Sequence, residues 1–169
     1  MLLPDEQKYL QTIPEDKIVK ISPFDPKITE TAEEIIRQIH EVFPDLEIIH
    51  MGASGLKISG QNDIDLYMLS PWQEFTKYLE GLIKILGQPK SQRQDSVAWE
   101  FVKNGFEVQI YLTDPSSEPM QRQVGVFNKL KENPKLLKKY EQLKQEMDGK
   151  SFREYQVRKY EFYHKILAL

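Results

Sequence analysis

The sequence predicts an α+β fold: a small mixed β-sheet with helices on one side, followed by a helical C-terminal part. Three observations predict it. Apolar periodicity alternates between helical and strand spacing through the first two thirds of the chain. Asn104-Gly105, set between two alternating apolar runs, is a two-residue hairpin signal. From about residue 116 onward every apolar stretch has helical spacing, with helix starts and stops between.

The elements follow in order. Residues 1–27 form an N-terminal extension that holds Pro4, Pro14, Pro23 and Pro26, so a short helix near Asp5–Thr12 is expected before an irregular wrap. Ala32, Ile35, Ile36, Ile39, Val42 and Phe43 mark a helix over Thr31–Phe43, with Thr31-x-x-Glu34 as its capping box and Pro44 as its stop. Leu46–Met51 reads as a strand, followed by a glycine-rich turn and a second strand at Asp63–Leu69. Ser70 as N-cap, Pro71 at N1 and Gln73 open another helix, which Gly87 ends. Ser96–Lys103 and Phe106–Leu112 flank the hairpin turn. After a loop over Thr113–Pro119, one helix is expected before Asn133. A second spans Pro134 to Met147, capped by Asn133 and stopped by Gly149, and a third spans Ser151 to Leu167, with Ser151-x-x-Glu154 as its box. The expected organisation is extension 1–27, core 28–115, and a C-terminal helical subdomain 116–169 packing on that core.

Composition is that of a soluble globular chain, with no cysteine and a net charge of −3. No apolar run is long enough for a membrane span, no signal peptide opens the chain, and disulfides and thiolate metal sites are excluded. The expected compartment is cytoplasmic. Residues 1–127 carry 12 Lys and Arg against 20 Asp and Glu, whereas 128–169 carry 11 against 6. Solvated helix and loop faces account for that asymmetry; so does a cleft with metal-binding carboxylates on one wall and phosphate-binding lysines on the other.

The chemistry concentrates in His50–Leu69. Strand alternation puts Asp63, Asp65 and Tyr67 on one face and Ile64, Leu66 and Met68 on the other. Strands disfavour Asp, and same-face carboxylates repel, which a divalent cation between them would relieve. Gly52, Gly55, Gly60, Ser54 and Ser59 can offer backbone N–H groups and hydroxyls to phosphate. The turn is neither a Walker loop nor a dinucleotide fingerprint, because no Gly-Lys-Ser/Thr follows and it leads into a strand. Read blandly, Asp63–Leu69 is a solvent-facing strand whose aspartates resist edge pairing. His50 reads as a turn-bonding side chain. His40 and His164 lack partner spacing for zinc. Lys144 and Lys159 read singly as surface lysines, and Tyr140 and Tyr155 as half-buried rings, either of which can pack on a base.

Met51-Gly52-Ala53, nine residues, then Asp63-Ile64-Asp65-Leu66 resembles the nucleotidyltransferase signature. Within that superfamily the chain resembles the GrpB family, through Phe24-Asp25-Pro26, Ile49-His50-Met51-Gly52, Phe127-Asn128-Lys129-Leu130, Asn133-Pro134, Tyr140, Leu143-Lys144, Tyr155, Lys159 and Phe162. The resemblance covers about residues 22–168 and implies a minimal nucleotidyltransferase fold. It departs from the pattern at Ala53, where Gly or Ser is usual, and in lacking a Pro-Gly in the turn.

The resemblance implies a protein that binds a nucleoside triphosphate with Mg²⁺ or Mn²⁺ and transfers a nucleotidyl group to an unknown acceptor hydroxyl, releasing pyrophosphate. Asp63, Asp65 and Glu107 are the expected catalytic residues. The same three with Gln109 are the expected metal ligands, Gln109 standing where the family pattern places a third carboxylate. Gly52, Ser54, Lys144 and Lys159 are the expected phosphate ligands. The alternatives are an inactive nucleotide- or metabolite-binding module, or a protein-interaction module on the same fold. An acidic chain without a groove-reading motif argues against general nucleic-acid binding, though an RNA end remains among the acceptors.

Overall fold

A computed structural model describes residues 1–168; Leu169, the end of the expected C-terminal subdomain, lies outside them. The elements are α1 (Pro4–Thr12), α2 (Pro26–Val42), β1 (Glu47–Met51), α3 (Gly52–Gly55), β2 (Asp63–Leu69), α4 (Phe75–Leu86), β3 (Ser91–Gln92), β4 (Ser96–Lys103), β5 (Phe106–Thr113), α5 (Glu118–Glu132), α6 (Pro134–Glu146) and α7 (Phe152–Leu167). The sheet runs β1-β2-β5-β4-β3. Only the central β2–β5 pair is parallel, so the sheet is mixed and the fold is α+β as expected.

Local chemistry explains most boundaries. Asn104 and Gly105 both have positive φ, 52° and 82°, as a tight hairpin turn between β4 and β5 requires. Asn133 caps α6 by accepting from the Leu136 N–H at 3.1 Å, and Ser151 caps α7 by accepting from the Glu154 N–H. Gly87 ends α4 with φ 87°.

Two expected helix starts are corrected. Helix α2 begins at Pro26, with the Asp25 carboxylate accepting from the Lys27 N–H, because an Asp cap before a proline at N1 is a complete start in itself. Thr31 is therefore a buried interior residue, and its hydroxyl accepts from the Asn104 amide at 3.1 Å. Ser70 does not cap α4: its hydroxyl donates to the Pro71 carbonyl, and a 3₁₀ turn over Trp72–Glu74 precedes the helix. The Trp72 N–H is satisfied from afar, by the Asp114 carboxylate at 3.0 Å.

The main core lies between one sheet face and helices α2 and α4. Ile64, Leu66 and Met68 point there with Val108, Ile110 and Leu112, against Ile28, Ile35 and Ile39 of α2 and Leu82 of α4. Each large apolar side chain buried this way contributes about 2 kcal/mol. That offsets the unfavourable carboxylates on the other face of β2. The C-terminal helices cover part of that other face. Met120 and Phe127 of α5 pack with Met51 against Ile49, Tyr67 and Leu69, while Val126, Leu130 and Tyr140 pack with Ala53 and Ile58 of the turn.

The N-terminal segment straps these parts together. Val19 donates to the Lys150 carbonyl at 2.9 Å and accepts from the Gly149 N–H at 2.8 Å, and Ser22 pairs with Gly60 of the glycine turn. Ile13 and Val19 complete a small core with Met147, Phe152 and Tyr155.

Candidate active site: a cleft between the sheet and the C-terminal helices

Register builds the floor of the site. Parallel pairing sets Asp63 beside Glu107, Asp65 beside Gln109 and Tyr67 beside Tyr111, while Met51 lies beside Asp65 on the other flank. A cleft of about 440 Å³ opens over this face, walled by α5, α6, α7 and α1. Of the residues expected from sequence, Gly52, Asp63, Asp65, Gln109, Lys144 and Lys159 line it together.

Two expected residues stand apart. Ser54 is buried, and its hydroxyl pairs with His50 Nε2 at 2.8 Å, outside the cleft lining. Alanine at position 53 does not hand its role to the next residue, because α3 turns the Ser54 side chain towards the preceding strand. Glu107, the second residue of β5, is exposed and does not line the cleft, whereas Gln109 does. Gln109 thus holds the place beside Asp65, with its carbonyl oxygen accepting from the Tyr111 hydroxyl at 2.9 Å.

Gly52 is where the backbone must come close. It has φ 69°, and a Cβ there would lie 2.6 Å from Asp65 Oδ2. The close approach that glycine permits here is made by the Asp65 carboxylate.

The electrostatics are those of opposed charges in a poorly hydrated space. Burial, then the neighbouring Asp63, raises the Asp65 pKa to about 7, against the pull of Lys159 and Lys144. Lys144 is not a surface lysine but 4% exposed, and its ammonium donates to the Tyr155 hydroxyl at 2.6 Å. Burial and then repulsion from Lys159 lower its pKa to about 8. Burial alone would lower Lys159 too; the tyrosines around it and Asp65 outweigh that and hold it well above the ordinary lysine range. His50, desolvated and close to Lys57, is pushed down to about 4 and is therefore neutral, a turn-bonding side chain and not a base poised near neutrality.

Asp63, Asp65 and the Gln109 carbonyl offer hard oxygen donors, and the two unpaired carboxylates relieve their mutual repulsion if a divalent cation binds between them, so the set fits Mg²⁺ or Mn²⁺. No group of three or more His, Asp or Glu side chains suited to a metal occurs among the described residues, so phosphate oxygens would have to complete the shell. The sequence reading put Tyr67 on the carboxylate face and offered Tyr140 and Tyr155 as rings able to pack on a base, but it did not foresee that Tyr9, Tyr160 and Tyr163 join them. Every tyrosine except Tyr78 lines the cleft. For Tyr67 and Tyr111 the signal was strand alternation beside Asp65 and Gln109; for Tyr9 of α1 no sequence signal existed.

The chain belongs to the GrpB family: the family profile, described as GrpB protein, matches residues 18–169. The match begins after α1, so that helix lies outside the matched region. None of the curated proteins compared with the chain matches it. Among solved structures it is similar to the Cid1 poly(U) polymerase with Mg 3′-dATP bound, at 16% identity and a TM-score of 0.44. That similarity covers 78% of this chain and 42% of the polymerase, so the chain spans less than half of that protein's length. No helix among the described residues is long and apolar enough to cross a membrane.

Proposed function

We propose that the protein is nucleotidyltransferase-like: it binds a nucleoside triphosphate with Mg²⁺ or Mn²⁺ in the cleft and transfers the nucleotidyl group to an acceptor hydroxyl, releasing pyrophosphate. The observation that supports this reading is the opposition of Asp63 and Asp65 on the floor to Lys144 and Lys159 on the helical wall. When bound, the cation would neutralise charge developing on the phosphates. Lys144, held by the Tyr155 hydroxyl, and Lys159 meet the triphosphate tail as cations. Gly52 keeps Asp65 close to the turn, and burial partly desolvates that carboxylate. Positioning and electrostatics supply the rate in such a site.

A second reading, a module that binds the nucleotide without turning it over, is favoured by Gln109. It stands beside Asp65 where a third carboxylate is expected and cannot take the acceptor's proton, while Glu107 lies outside the cleft. A thermal-shift screen of the four nucleoside triphosphates with and without Mg²⁺ tests both readings, with Asp65→Ala as control. Mg²⁺-dependent stabilisation that D65A abolishes supports the site; equal shifts in wild type and D65A exclude it. Pyrophosphate release separates transfer from binding alone.

A further inference from the structure

The cleft extends past the carboxylates. One pleat beyond Asp65 and Gln109, Tyr67 and Tyr111 stand side by side with ring centroids 5.0 Å apart. Helix α1 closes that end with Asp5, Glu6 and Tyr9, facing Arg122 of α5 and Tyr160 and His164 of α7.

Two properties of this end decide what fits it. Its guanidinium is already matched, because Arg122 is paired with Asp5 and Glu118, and the Glu6 carboxylate is taken up by His164 Nε2 at 2.8 Å. A phosphate group therefore gains little here, unlike at Lys144 and Lys159. Phenols stand out among its remaining polar groups, beside the Gln123 and Gln156 amides that also line the cleft. None of the protein's own hydrogen bonds among the described residues uses the Tyr9, Tyr67 or Tyr160 hydroxyl. A neutral phenol both donates and accepts, which is also the hydrogen-bonding character of an alcohol. Aromatic rings additionally offer apolar surface to the C–H faces of a sugar ring.

We propose that this end is the acceptor subsite, and that it takes a small polyhydroxylated, sugar-like molecule and not the end of a nucleic acid. The inference rests on the nucleotidyltransferase reading for the word acceptor; the subsite itself rests on the phenols and the matched charges. Tyr67 and Tyr160 bind the acceptor hydroxyls. Tyr9 brings α1 into the subsite, so the part of the chain outside the family match shapes the choice of acceptor.

The test uses the full chain and saturation-transfer NMR with sucrose, myo-inositol and glucosamine, against a six-nucleotide oligoribonucleotide. At least one of the three polyols gives transfer signals with wild type, and Tyr67→Phe with Tyr160→Phe weakens its binding roughly tenfold, the loss of two hydrogen bonds. Thermal melts of the double variant confirm that it is folded. The proposal is overturned if no polyol binds, if only the oligoribonucleotide does, or if the folded double variant binds the polyol as wild type does. A polyol signal lost in the double variant, with no Mg²⁺-nucleotide binding by wild type, keeps the subsite and removes the transferase reading. Mg²⁺-nucleotide binding without any polyol signal does the reverse.

Discussion

Gly52 and Asp65 are in contact across two strands: the glycine Cα, at φ 69°, leaves the space that Asp65 Oδ2 occupies, and a Cβ there would approach it to 2.6 Å. The turn and the carboxylate are therefore one unit. In Gly52→Ala the left-handed backbone costs about 1–2 kcal/mol and the new methyl displaces the carboxylate. Urea denaturation should show that loss, and Mg²⁺-dependent nucleotide stabilisation should disappear with it.

Gln109→Glu places a third carboxylate beside Asp65 without changing side-chain shape. Without Mg²⁺ the variant melts below wild type, because three carboxylates repel in a poorly hydrated floor. Mg²⁺ restores the melting temperature by more than it raises that of wild type. If the cleft catalyses transfer, pyrophosphate release rises in the same variant.

Lys159→Met removes a cation that acts on Asp65 and lines the cleft. Nucleotide affinity measured by calorimetry falls about tenfold or more, the scale of a charge-assisted hydrogen bond. The remaining affinity depends less steeply on salt than that of wild type.

Asp65 makes stability depend on pH in an unusual direction. Its folded pKa is raised to about 7 from an ordinary carboxylate value of 3.8, so the folded state binds a proton first as pH falls. Its contribution therefore improves as pH drops from above 7 towards 4 and worsens as pH rises. His50, held down to about 4, works the other way below pH 6.5, so the wild-type curve is a compromise between the two. Asp65→Asn isolates one of them: its stability advantage over wild type should be small near pH 4 and grow up to about pH 8 in denaturation curves without Mg²⁺.

Glu6 is buried against His164 and also accepts from the Leu3 N–H at 2.8 Å. Glu6→Ala leaves both donors without their acceptor and costs about 1–3 kcal/mol. The loss is local to α1: limited proteolysis should cut between residues 13 and 18 faster than in wild type, with the β-sheet signature in circular dichroism unchanged.

Much of the fold was legible because its signals are local. Alternation gave β2 its two faces, Asn104-Gly105 gave the hairpin, and Asn133 and Ser151 gave two helix starts. The failures came from partners distant in sequence. Ser70 loses its capping role to Asp114, forty-odd positions on, and Thr31 serves Asn104 of the hairpin. In the site, residue type and face placed Asp63, Asp65 and Gln109 on the cleft floor. The direction in which α3 turns Ser54, the burial of Lys144 and the arrival of α1 over Tyr111 depend on tertiary packing that no window of sequence contains.

The Glu6–His164 contact joins positions 158 apart. During synthesis, β1 to β5 emerge and can pair before α7 leaves the ribosome, whereas α1, made before the sheet, waits for a partner made after it. The sheet can thus form early with its carboxylates open to water, and the cleft acquires its final wall only when translation of α7 is complete. A chain stalled before His164 would carry the acidic floor without the helical wall that encloses it.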